Sequence, residues 1–178
     1  EVNNLIQIAA LYRNINDFSE SARYFDKALK TVDSKDNETL FWIYYHRGYK
    51  YYMENRTEDA IGDYTRAMEY AKQIHPYLLI YNYNELGNAY LKQNHDSAIY
   101  YLNKSIAINI RETGMFTEEQ YVQSLFYKAK YYRALGNYEM SRNVIAKSKR
   151  LLKDDKNSKF QAKYAMEMML YYNHIQEL

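Results

Sequence analysis

Four histidines, His46, His75, His95 and His174, are the chain's only imidazoles, and no two have the His-x-x-x-His spacing that places a pair on one helix face for a metal. Cysteine is absent, which removes thiolate ligands, a thiol nucleophile and any disulfide framework. There is no Gly-x-Ser-x-Gly elbow and no glycine-rich phosphate loop. The acidic pairs Glu118-Glu119 and Asp154-Asp155 fall near expected helix ends, where solvated charge suits the helix dipole or a loop. Neither a catalytic residue, a metal site nor a cofactor site is therefore assigned. Residues 142–163 carry eight basic side chains against two acidic ones, a local charge of +6 that reads as a solvated helix face rather than a phosphate-binding surface. What remains is aromatic: 23 tyrosines, six phenylalanines and one tryptophan in 178 residues. Trp42, Tyr45, Tyr49 and Tyr52 follow at steps of three, four and three, which puts them on one face of a helix.

The elements that must position these side chains follow from composition and repetition. Five glycines and one proline leave little turn chemistry for a sheet, so the chain is expected to be all-α. Mean hydropathy is -0.71, and the longest apolar run is Leu40 to Tyr45, far short of the roughly 20 residues of a membrane-spanning helix. A net charge of +2 implies no direct nucleic-acid binding by this segment. Small residues recur at Ala9, Gly48, Gly87 and Ala129, each followed three places later by Tyr12, Tyr51, Tyr90 and Tyr132. A second set, Ser21, Ala60, Ala98 and Ser141, comes eleven or twelve residues on, and Ala28, Ala67, Ser105 and Ser148 follow seven beyond. The small residues are read as contact points between paired helices and the recurring tyrosines as core.

Capping signals divide the units into helices. Asp17 with Glu20 and Thr117 with Gln120 have capping-box spacing, Asn137 can cap the helix from Tyr138, and Pro76 suits a first helical position. Helical hairpins are expected at 2–32, 37–74, 76–112 and 117–153, with an unpaired helix at 158–177 that restarts the pattern at Met168 and Tyr171. All belong to a single domain, because no linker separates them. The first residue is Glu rather than Met, which reads as a piece of a longer polypeptide.

Asn84-Glu85-Leu86-Gly87-Asn88-Ala89-Tyr90-Leu91-Lys92-Gln93-Asn94 resembles the first helix and turn of a tetratricopeptide repeat, and Tyr24-Phe25-Asp26-Lys27-Ala28-Leu29 resembles its second helix. The units run to about 38–43 residues rather than the usual 34, a length similar to the repeats of bacterial regulator and sensor proteins. The resemblance implies a right-handed superhelix, an α-solenoid of antiparallel hairpins whose first helices line a concave groove. Carried over residue by residue, that groove receives Trp42, Tyr45, Tyr49 and Tyr52 from the second unit, Tyr81, Asn84, Asn88 and Lys92 from the third, and Phe126, Lys130 and Arg133 from the fourth. An aromatic wall then faces a polar and basic one, a surface suited to a peptide whose backbone meets the asparagines and whose acidic group meets the cations.

The function so implied is a non-enzymatic protein- or peptide-binding scaffold, the sensing or interaction region of a bacterial regulator. Two alternatives stand beside it: a peptide-pheromone receptor region, and a self-association platform pairing two copies through Tyr164, Tyr171 and Tyr172 of the last helix. The compartment would be cytoplasmic beside a DNA-binding domain and periplasmic beside a signal and a membrane span.

Overall fold

Side-chain caps set the starts of four helices. The computed structural model describes residues 1–75, 77–111, 118–152, 165–166 and 168–170. Its helices are α1 (Val2–Asn14), α2 (Phe18–Thr31), α3 (Asn37–Met53), α4 (Thr57–Ile74), α5 (Leu78–Tyr90), α6 (His95–Arg111), α7 (Glu118–Ala134) and α8 (Tyr138–Leu152). No strand occurs among the described residues. Asp17, Asp36, Asn94 and Asn137 each accept the backbone N–H three residues on, at 3.0 to 3.1 Å, satisfying a donor that the helix start leaves orphaned. α5 starts at Leu78, two residues later than expected; Pro76, Thr117 and most of 158–177 lie outside the described residues.

The turns inside the hairpins share one design with one exception. Asn16, Asn55 and Gly136 adopt left-handed φ of 61°, 60° and 71°, and the following N–H reaches back to the carbonyl of Tyr12, Tyr51 or Tyr132 at 2.9 Å. In the third hairpin, one residue shorter between its small residues, the left-handed position is the one missing: the Asn94 N–H closes on the Tyr90 carbonyl at 2.8 Å.

Small residues bring the paired helices together. A Cβ added at Gly48 would lie 2.8 Å from the Tyr64 ring, and one at Gly87 would lie 2.6 Å from Leu102 Cγ. Ala9, Ser21, Ala60, Ala98 and Ala129 are fully buried, and the Ser21 hydroxyl donates to the Ala9 carbonyl at 2.9 Å. The recurring tyrosines differ from the expectation. Tyr12, Tyr51, Tyr90 and Tyr132 are half-buried, because they flank the contact point instead of filling it. Tyr12 stacks on Tyr24 at 5.5 Å and Tyr90 on Tyr101 at 5.7 Å.

Each core cluster draws on neighbouring hairpins. Ile43 of α3 completes the cluster of α1 and α2, Leu86 and Ala89 of α5 join Ala60 and Tyr64 of α4, and Tyr131 of α7 joins Ala98 and Leu102 of α6. Met168 packs against the cluster of α7 and α8, as a restarting repeat would place it. No hairpin buries its apolar face alone, so the core is continuous along the stack. α1, α3, α5 and α7 touch in succession, whereas no two of α2, α4, α6 and α8 touch among the described residues. The stack therefore curves, with the first helices inside and the second helices outside.

Candidate functional site

The inner wall is built from four helices, and position relative to the small residue decides what each side chain does there. Six residues before it stand Asn3, Trp42 and Tyr81; two before it stand Gln7, His46, Glu85 and Tyr127. Asn3, Gln7, Trp42 and His46 line a cleft of about 570 Å³ between α1 and α3, together with Ile6 of α1 and with Asp36, Glu38 and Thr39 at the start of α3.

Trp42 is half-buried at the centre of an aromatic layer. Its ring meets Phe41 edge-on at 4.7 Å, Tyr45 at 5.8 Å and Tyr81 at 5.7 Å, and stacks on His46 at 5.7 Å. Burial, with Arg13 nearby, lowers the His46 imidazole to about 4, so it is neutral at physiological pH. Tyr49 carries the Arg13 guanidinium over its ring at 4.8 Å. Arg13 is 7% exposed, is held by the Asn14 side chain at 3.1 Å, and has no carboxylate within ion-pair distance among the described residues. Desolvation pulls its guanidinium below the ordinary value. Tyr52 faces the Lys92 ammonium at 5.6 Å.

Farther along, the wall is tied together by bonds between units. The Tyr127 hydroxyl donates to Glu85 Oε1 at 3.0 Å, and Lys130 Nζ donates to Asn88 Oδ1 at 2.9 Å. Burial first, and the Glu85 charge second, push the Tyr45 and Tyr127 phenols well above their ordinary range, so both stay protonated.

Several expected groove residues are placed differently. Phe126 is 1% exposed and sits in the core with Val122, Leu125, Ala129, Val144 and Ile145, while the neighbouring Tyr127 is the ring that reaches Glu85 of α5. Asn84 is 1% exposed, its amide reaching the Gln120 carbonyl at 3.5 Å, and Asn88 is 4% exposed with its oxygen occupied by Lys130. Both asparagines join units to each other, which corrects their reading as free partners for a peptide backbone. Lys92 is exposed and donates to Asn55 at 3.3 Å, while Arg133 is half-exposed in the last turn of α7. Arg13 and Tyr127 carry no role in the sequence pattern, and His46 and Glu85 enter it only as a histidine without a metal partner and as part of the repeat motif, not as groove residues. Their signal was present, since three of the four share the place two before the small residue.

Among the described residues, no group of three or more His, Cys, Asp or Glu could hold a metal, and no helix is long and apolar enough to cross a membrane.

Comparison with known proteins agrees with this architecture. BtubC (BKLC) from P. vanneervenii superimposes with a TM-score of 0.73 at 20% identity over 84% of this chain. Two structures of TPR-like repeats of a kinesin light chain type from Podosopora anserina superimpose with TM-scores of 0.71 and 0.70 at 16% identity over 99% of this chain, covering 88% and 89% of theirs. The fold is of the tetratricopeptide-repeat type. This TPR-type chain spans 62% of the length of BtubC, and at such identities the likeness speaks for the fold alone. No family model matches the TPR-type chain, and no curated protein matches it in sequence. Its departures from the common repeat are the longer units and the shortened third turn.

Proposed function

We propose that this chain is a single-domain, non-enzymatic scaffold that holds a protein or peptide on the inner face of its superhelix, as the sensing or interaction region of a larger bacterial regulator. The observation that carries the reading is the cleft of about 570 Å³ at the amino-terminal end of that face, lined by Trp42, His46 and the exposed amides of Asn3 and Gln7. Aromatic rings supply contact area at low entropic cost, and amides can donate to and accept from an extended backbone. The regulator context rests on the long repeat units and on the Tyr-, Asn- and Lys-rich composition. Selection of binders from a randomised peptide library tests the reading. Gln7→Trp, at an exposed position, fills the cleft without disturbing the core and weakens selected peptides by about tenfold or more, whereas Lys27→Ala on the outer helix α2 leaves them unchanged. Peptides indifferent to Gln7→Trp would remove the inner face as the binding surface.

Self-association is the second reading, and its support is the exposure of Met166 and Met169, at 57% and 54%. Tyr164, Tyr171 and Tyr172 lie outside the described residues. A mass that rises with concentration, and falls to the monomer when Met166 and Met169 are changed to Lys, would favour it.

A further inference from the structure

The cleft between α1 and α3 has a definite charge. Among the described residues, Asp36 and Glu38 are the only acidic or basic side chains that line it besides the His46 imidazole, and no lysine or arginine does. Neither carboxylate has an ion-pair partner among the described residues. Asp36 spends one oxygen on the Thr39 N–H at 3.0 Å, which holds its carboxyl below the usual range and keeps it ionised. The same cleft is lined by the stacked pair Trp42 and His46, and His46 carries no charge at neutral pH. Arg13 does not line the cleft; its guanidinium lies over the Tyr49 ring and against Asn14, and its charge is felt at His46, so the carboxylates and not the histidine end are where a second cation is favoured. Two of the cations expected to draw an acidic ligand are engaged farther along the wall, Lys130 with Asn88 and Lys92 with Asn55 and the Tyr52 ring.

We infer that this cleft takes a cationic side chain, the guanidinium or ammonium of a bound basic peptide, between the Trp42 ring and the carboxylates of Asp36 and Glu38. Tryptophan is the strongest aromatic partner for a cation, and unpaired carboxylates at the rim steer and select for positive charge. His46, neutral and lining the same cleft, offers a ring nitrogen as an additional acceptor. The inference rests on the inner face being the peptide-binding wall and names the class of peptide it selects.

Trp42 is the sole tryptophan, so its fluorescence reports the cleft directly. The full chain is titrated with a blocked diarginine peptide and, separately, with a blocked diglutamate peptide. The diarginine peptide is expected to change the emission saturably, with weakening at higher salt, and the diglutamate peptide to leave it unchanged. In the double variant Asp36→Asn, Glu38→Gln, the diarginine affinity falls by about fivefold or more; Asn still caps α3, so an unchanged thermal midpoint verifies that the fold is intact. No saturable change with diarginine, or a change that survives the double variant, overturns the inference. A saturable response to diglutamate overturns the cationic assignment and leaves the peptide wall standing. Silence from both, while a library-selected peptide still binds in a Gln7-dependent manner, overturns this inference alone; loss of that dependence as well removes the reading beneath it.

Discussion

A single methyl group tests the packing rule. Gly87→Ala puts a Cβ 2.6 Å from Leu102 Cγ and is expected to destabilise the chain by about 1–3 kcal/mol in urea unfolding. Gly62→Ala makes the opposite case: it sits inside α4, exposed, with nothing within 4 Å of the new atom, and is expected to stabilise by about 0.5–1 kcal/mol through helix propensity. His46 gives a second residue-scale test. Its imidazole is lowered to about 4 in the folded chain from an ordinary 6.5, so the unfolded state binds the proton first. Stability from this group is complete above pH 6.5 and drains away as pH falls towards 4, by up to about 3 kcal/mol. His46→Gln should flatten the loss of stability between pH 7 and 4; a loss identical to that of the parent chain would mean the imidazole is freely solvated. The small residues were legible from the sequence because their role is steric and recurs with the unit. The environment of His46 was not, because its burial depends on α1, which sequence spacing does not place beside it.

Helix ends were legible to a residue or two wherever a side chain caps them, as at Asp17 and Asn137, and drifted at α5, which begins at Leu78. The inner face was harder to read for a geometric reason: one position along a helix is a rotation of about 100°. Phe126, three before the small residue, therefore packs between α7 and α8, while Tyr127, two before it, points to α5 and bonds Glu85. Trp42 and Tyr81, six before in successive units, meet each other edge to face at 5.7 Å. The turns carry their own prediction. Asn55 holds φ of 60° where glycine has no steric cost, so Asn55→Gly is expected to be neutral or stabilising by up to about 1 kcal/mol, whereas Gly136→Ala, at φ of 71°, costs about 1 kcal/mol. Equal thermal midpoints for Gly136→Ala and the parent would contradict a left-handed turn.

At the scale of the whole molecule, stability is a sum over neighbouring hairpins, so damage at one end should stay there. Met168 covers the cluster of Val122, Phe126 and Ile145. Removing residues 165–178 is expected to speed amide hydrogen exchange in α7 and α8 and leave α1 and α2 as they are. Uniform loss of protection along the chain would mean one cooperative core instead of a stack. The curvature that follows from first helices touching on the inside also makes a concave surface, and a bound peptide is expected to lie on it. The most direct measurement is photo-crosslinking of a library-selected peptide to the full chain, with the attachment sites read by mass spectrometry. Attachment at the inner-face residues Asn3, Gln7, Trp42, His46 and Tyr81 is the predicted result; attachment confined to α2, α4 and α6 would contradict it.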